Sequence, residues 1–274
     1  MNTATSRSIV VGIDGSKSAV KAALWAAAEA VRRDVALRLV YVVQPDADDT
    51  NEAFAEGRRM VGAAADALSA TGEQVKVESD VLRGAPVDVL TEASRSAEML
   101  CVGWKGRHDS GAAGRGATAA HLAAAAHSSV AIVRRRSIHH EVGPDRWIVA
   151  VVDSEATFDG VLRVAIDEAT LRHAGILALA PWRNDPAAID RIRTKLDSRA
   201  DRAEGPGAQI RRCLLPLPDH MSSLFAQSAD IDQLVIALAS NRELVGELTD
   251  RRTNRILRGS ECSVLILRDA ENRG

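Results

Sequence analysis

The chain has 274 residues, of which 46% are hydrophobic, 26% charged and 3% aromatic, and its formal net charge is −2. These values are typical of a soluble globular protein, and the length fits two ordinary domains better than one large one. They exclude a general electrostatic attraction for nucleic acid or for an anionic membrane. The few aromatic rings also leave little to stack on single-stranded nucleic acid.

Apolar, β-branched segments alternate with helical patterns along the whole chain, which predicts an α/β fold with a mostly parallel sheet. In the first half, strands are predicted at 9–13, 37–43, about 75–81, 99–102 and 130–133. Helices are predicted at about 18–33, around a face formed by Met60, Val61, Ala64 and Leu68, after Pro86 and from about Ala117.

The sequence shows neither a signal peptide nor a membrane-spanning segment, and this predicts the location of the protein. The N-terminal residues lack the apolar core of a signal peptide, and the longest apolar run is far shorter than the roughly 20 residues that span a bilayer. We therefore expect a cytoplasmic protein with no membrane partner. The cysteines at 101, 213 and 262 have no ligand-like spacing, so we expect them to be buried, reduced and inert.

The second half of the chain repeats the first. Asp14 ends the strand pattern IVVGID and Asp153 ends IVAVVD, an offset of 153 − 14 = 139 residues. Residues 99–134 and 233–268, offset by 233 − 99 = 134, both close on similar strands, SVAIVR and SVLILR. The repeat predicts a domain at 1–137, a linker at 138–145 and a second domain at 146–274.

A strand in the first domain is followed by glycines at 103, 106 and 116 and then by a helix pattern. Glycine permits positive φ and lets backbone N–H groups approach an anion, and a helix N-terminus adds donors and partial positive charge. This pattern predicts a phosphate-binding loop. At the matched positions the second domain has Ala237, Ser240 and Asp250, so we expect it to keep the fold and lack the anion site.

In an open parallel sheet, ligands bind beyond the carboxyl ends of the strands, where the strand order reverses. Asp14 would accept hydrogen bonds from ribose hydroxyls, the end of the second strand would pair with a base edge, and the glycine loop would surround phosphates. The predicted site residues are Gly12, Ile13, Asp14, Gly15, Tyr41, Val42, Gly103, Lys105, Gly106, Arg107, Gly116, Ala117 and Thr118.

These motifs give the chain a resemblance to the universal stress protein family, in two tandem copies, with the first copy similar to its ATP-binding branch. The residues that carry it are IVVGIDGS at 9–16, RGAP at 83–86, and Gly103-x2-Gly106-x9-Gly116 followed by His121-Leu122 and SVAIVR. The resemblance implies two tandem Rossmann-like (adenine nucleotide alpha hydrolase-like) domains. Each would have a five-stranded parallel sheet of order 3-2-1-4-5 flanked by helices.

The resemblance also implies that the protein regulates a stress response. Its first domain would bind ATP, or ADP or AMP, and Mg²⁺ is a candidate ion bound together with the nucleotide. Occupancy would modulate an unknown protein partner, and the second domain would be degenerate. The family motif continues with Ser or Thr, whereas this chain has Ala117 and then Thr118. Loss of one charge-assisted hydrogen bond there would weaken ATP by about tenfold to a hundredfold.

The family pairs domains through the last strand, so the two halves of one chain are expected to pair, and a homodimer of whole chains stays open. Two other functions also stay open. One is slow ATP or pyrophosphate hydrolysis, for which His108 and Asp109 are the local candidates, and the other is a nucleotide-free protein-interaction module. The common motifs for NTPases, dinucleotide binding, metalloproteases and serine hydrolases are absent from the sequence, which predicts neither catalytic nor metal-binding residues.

Overall fold

The computed structural model describes residues 7–46, 50–107, 117–134, 147–152, 155–180, 186–203, 210–216, 234–249 and 262–268. The chain divides into two compact units, Met1–Ile138 and His139–Gly274. The predicted linker at 138–145 lies outside the described residues. None of the helices in the described ranges is long and apolar enough to cross a membrane.

The first unit alternates strands and helices, as its hydrophobic pattern predicts. Its elements are β1 (Ser8–Ile13), α1 (Lys17–Arg33), β2 (Ala36–Val43), α2 (Thr50–Ser69), β3 (Val77–Arg83), α3 (Pro86–Ala93), β4 (Ala97–Gly103), α4 (Ala117–Ala125) and β5 (Ser129–Val133). All neighbouring strands are parallel, in the order β3-β2-β1-β4-β5. The expected sheet of order 3-2-1-4-5 is therefore confirmed.

The residues of helix α1 explain where the helix begins and ends and how it packs on the sheet. The side chain of Ser16 caps its N-terminus by accepting a hydrogen bond from the backbone N–H of Ala19. Its buried face is mostly alanine, which lets the helix pack closely on β1 and β4. The helix ends at Asp34, which adopts a left-handed conformation with φ of 52°.

Strand β3 begins two residues later than predicted. The sequence places it at about 75–81, whereas it spans Val77–Arg83 at the edge of the sheet. Its residues are partly or fully exposed, so the apolar pattern that marks the ends of buried strands is weak there.

The second unit has the same plan. Its elements are β6 (Trp147–Val151), α5 (Glu155–Arg172), β7 (Gly175–Ala180), α6 (Pro186–Ala203), β8 (Arg212–Pro216), β9 (Leu234–Leu238), α7 (Arg242–Thr249) and β10 (Ser263–Leu267). Parallel pairing gives the order β10-β9-β6-β7-β8, which is again 3-2-1-4-5 when the strands are numbered within the unit.

The repeat extends to a buried ion pair. Fully buried Glu29 in α1 forms an ion pair with Arg33 one turn later, and fully buried Glu168 in α5 forms one with Arg172. Both pairs are related by the offset of 139 found in the sequence. The first helix of each unit therefore carries the same charge pair toward its C-terminal end.

The cysteines agree with their expected chemistry in part. The three, all among the described residues, form no disulfide. Cys101 and Cys262 are buried as expected, whereas Cys213 is partly exposed because β8 is an edge strand.

Candidate functional site

A cavity of about 520 Å³ lies at the carboxyl ends of β1, β2 and β4 in the first unit. The strand order reverses between β1 and β4, and this is where open α/β sheets bind ligands. The volume is within the range of small-molecule sites.

Most of the predicted site residues meet in this cavity. Ten line it: Gly12, Ile13, Asp14, Tyr41, Val42, Gly103, Lys105, Gly106, Arg107 and Thr118. Gly15 does not line it but turns the chain beside it, with φ of 79° and its missing Cβ position 2.6 Å from Met60 Sδ. Gly116 lies outside the described residues, and Ala117 is described only as the first residue of α4.

Asp14 holds the start of the glycine loop. Its Oδ1 accepts a hydrogen bond from the Ser16 N–H at 2.9 Å, and its Oδ2 accepts one from the Arg107 N–H at 2.8 Å. Ser16, not Asp14, caps the following helix. A carboxylate has about four acceptor positions, so Asp14 keeps capacity for a ligand hydroxyl.

Three backbone amides in the described part of the glycine loop bond other groups of the protein. The Trp104 N–H donates to the Val133 carbonyl at 3.1 Å, and the Lys105 N–H donates to Ser18 Oγ at 3.3 Å. The Arg107 amide is bound to Asp14, so these three amides are already used within the protein. Other donors for an anion would be the side chains of Lys105 and Arg107 and the first turn of α4.

Gly103 is required by packing and not by a positive φ. Its φ lies outside the left-handed region, and an added Cβ would lie 2.6 Å from the backbone carbon of Ser18 and 2.8 Å from the Ala19 nitrogen. The end of β4 therefore passes directly beside the start of α1. In the second unit the matched position is the buried Ala237, so that unit does not need glycine there.

Arg107 joins the loop to α2. Its Nη1 donates to Glu56 Oε1 at 2.5 Å, while its backbone N–H is bound to Asp14. The hydrogen bond to Glu56 and the charge of Glu56 raise the pKa of the Arg107 guanidinium. Arg107 thus links three segments that are distant in sequence: the glycine loop, the end of β1 and α2.

Tyr41 lies within the same charged group. Burial raises the pKa of its phenol, and the negative charge of Glu56 raises it further. The positive charge of Arg107 lowers the pKa by less than Glu56 raises it, and Asp14 has the smallest, upward effect. The ring packs against α2 at Gly57, where an added Cβ would lie 2.8 Å from Tyr41 Cδ1.

Sequence reasoning missed the walls that α2 and α3 provide. Ala53 and Glu56 of α2 line the cavity, as do Pro86 and Leu90 of α3, and Asp46 lines it from the segment after β2. The available signal was Gly57, a glycine on the buried face of a helix, which marks a close approach of backbone to a neighbouring strand. The RGAP motif at 83–86 correctly predicted a helix beginning near Pro86, which starts α3, but it gave Pro86 no place in the site.

The geometry defines the class of protein: a pair of doubly wound, Rossmann-like α/β units, of which the first has a polar cavity at its switch point. The model of the universal stress protein family matches residues 5–134. Two universal stress proteins of Mycobacterium tuberculosis H37Rv, Rv2624c and Rv2028c, are 34% and 33% identical to this chain over 96% and 95% of its length, covering 97% and 95% of their own. The chain belongs to the universal stress protein family.

Solved structures agree on the fold. A universal stress protein from Archaeoglobus fulgidus DSM 4304 superposes with a TM-score of 0.69 at 14% identity and covers 97% of each chain. Shorter family members include one in complex with cAMP, with a TM-score of 0.37 over 46% of this chain, and one from Arabidopsis thaliana with AMP bound, at 0.35 over 49%. Likenesses of that size leave the ligand of this chain to be argued from its own residues.

Proposed function

We propose that the first unit binds an adenine nucleotide, with ATP as the physiological ligand and ADP or AMP as alternatives. Occupancy would regulate the contact of this protein with a partner protein under stress. The observation that carries the proposal is the cavity of about 520 Å³, which gathers Asp14, the end of β2 and the glycine loop at the switch point.

The end of β2 supplies the groups that a base edge needs. Strand β1 ends at Ile13 opposite Tyr41, whereas β2 continues to Val43. The Val43 carbonyl accepts from the Gly84 N–H on the β3 side, so the N–H and carbonyl of Val42 point to the other side, beyond the end of β1. The apolar walls at Val40, Leu90 and Val102 would cover the faces of the base.

The phosphates would lie between the glycine loop and the start of α4. Lys105 and Arg107 supply positive charge there, and Thr118 lines the cavity within the first turn of the helix. The Thr118 hydroxyl would take the part of the hydroxyl that Ala117 lacks. The described residues contain no group of three side chains that could hold a metal ion, so Mg²⁺ would take its ligands chiefly from phosphate oxygens and water.

The second unit would be a degenerate partner without this site. Its helix α7 corresponds, by 242 − 134 = 108 and 249 − 134 = 115, to residues 108–115 of the glycine loop. Asn241 caps this helix through its side chain, and Leu244, Val245 and Leu248 are buried. A packed helix thus occupies the matched sequence positions in the second unit, which supports one nucleotide per chain.

Calorimetric titration of the full chain with ATP, ADP, AMP and cAMP at up to millimolar concentration tests the proposal. We expect binding that Gly106→Leu removes without lowering the unfolding temperature, while the control Gly62→Ala, in α2, retains it. The absence of heat with all four nucleotides would contradict nucleotide binding and favour the interaction module. Steady phosphate release that survives loss of both His108 and Asp109 would exclude those residues as the base of a hydrolase.

A further inference from the structure

We propose that Glu56 sets how strongly the cavity selects for the phosphate part of its ligand, because it binds the arginine that a phosphate would otherwise engage. The inference rests on the proposed function and adds a specificity determinant that lies on α2, outside the glycine motif.

The geometry brings the two groups together over a large distance in sequence. Arg107 follows β4, and its Nη1 bonds Oε1 of Glu56 at 2.5 Å. Its backbone amide is fixed by Asp14 at 2.8 Å, so the residue cannot leave the cavity without breaking a second contact. Glu56 and an incoming phosphate would therefore compete for the guanidinium while the backbone of Arg107 stays in place.

The balance of charge in the cavity increases the importance of Arg107 for binding a phosphate. Among the described lining residues, Asp14, Asp46 and Glu56 carry negative charge, and Lys105 and Arg107 carry positive charge. A phosphate that enters meets more carboxylates than cations in this part of the wall. The upward shift that Glu56 produces in the pKa of Tyr41 shows that its charge acts on other groups in the cavity.

The exchange of partners is easy because both side chains reach solvent. The Arg107 side chain is 43% exposed and the Glu56 side chain 33% exposed. Ion pairs in such surroundings are weak, so a phosphate can displace Glu56, and the competition lowers affinity by a factor of roughly two to five. Adenosine has no phosphate and gains nothing from Arg107. Its affinity is therefore expected to be insensitive to the pair.

The test compares adenosine, AMP and ATP on the full chain carrying Glu56→Gln. The variant keeps the shape of the side chain, removes its charge and leaves Arg107 available. We expect AMP and ATP to bind roughly two- to fivefold more tightly, with adenosine unchanged. Glu52→Gln is the matched control, because it removes the same charge one turn earlier on α2 from an exposed residue outside the cavity lining.

A double variant identifies the arginine as the mediator. In an Arg107→Gln background, Glu56→Gln should give no gain for AMP or ATP beyond that of Glu52→Gln. Equal effects on adenosine and AMP, or a gain that persists without Arg107, would overturn the inference while leaving nucleotide binding intact. If the unaltered protein binds none of the three ligands, the proposed function is refuted, and the inference with it. Thermal unfolding of each variant confirms that the comparison is made on folded protein.

Discussion

Replacing Gly103 with alanine tests the close passage of β4 beside the start of α1. The new Cβ would lie 2.6 Å from the Ser18 backbone carbon, 2.7 Å from Ser18 Oγ and 2.8 Å from the Ala19 nitrogen. Ordinary contacts begin near 3.4 Å, so backbone must move by about 3.4 − 2.6 = 0.8 Å. Overpacking of this kind costs about 1–3 kcal/mol.

Urea denaturation of the full chain, followed by far-ultraviolet circular dichroism, measures the cost. The matched control is Gly62→Ala in α2, where an added Cβ meets nothing within 4 Å. Alanine is favoured over glycine within a helix, so this control should stabilise the protein by about 0.5–1 kcal/mol. The same change of residue is thus expected to act in opposite directions at the two sites. A Gly103→Ala protein as stable as the unaltered one would refute the close approach.

Three further predictions address the cavity. The chain has one tyrosine, so its near-ultraviolet titration reports Tyr41 alone, and we expect a midpoint above 10.0 that returns toward that value in denaturant. Since the raised pKa belongs to the folded state, its contribution to stability is complete below pH 10.0 and is lost as the pH rises through the raised pKa. An unshifted native midpoint would contradict the partial burial of the ring beside Glu56. Asp14→Asn should lower the unfolding free energy by about 1–2 kcal/mol, because the amide group leaves the Ser16 or Arg107 N–H without an acceptor, and should weaken adenosine as well as ATP; unchanged adenosine binding would remove Asp14 from the ribose site. Thr118→Val, which keeps the shape and removes the hydroxyl, should weaken ATP by about tenfold and spare adenosine, and equal ATP affinity in calorimetry would show that this hydroxyl faces away.

The layout of the fold could be predicted from sequence because the information is local. Buried strands such as β1 and β4 are continuous apolar runs, and α1 carries a cap and an alanine face. The repeat then supplied the second unit by comparison with the first. The limits of two strands differed by two residues: β3, an exposed edge strand, begins later than predicted, and β4 begins earlier.

The candidate site was harder to predict because its walls depend on packing between distant segments. Asp14 and the end of β2 follow from the rule that ligands bind at strand ends. The place of Glu56 depends on how α2 crosses the sheet, and that crossing is set by the contact of Gly57 with Tyr41 and Val81. No pattern around Glu56 itself records that contact.

Gly103 does not by itself mark an anion site. The absence of glycine at the matched Ala237 predicts that the second unit lacks an anion site, yet Gly103 is explained by its contact with the start of α1. Evidence for a ligand in the first unit therefore rests on the cavity and on Arg107 more than on the first glycine of the motif.

Native mass spectrometry of the full chain with ATP tests the central claim most directly, because it counts bound nucleotides. The account predicts one ATP per chain, lost in Gly106→Leu and retained in Gly62→Ala. No bound nucleotide at millimolar ATP would contradict the site in the first unit, and two per chain would contradict the degenerate second unit.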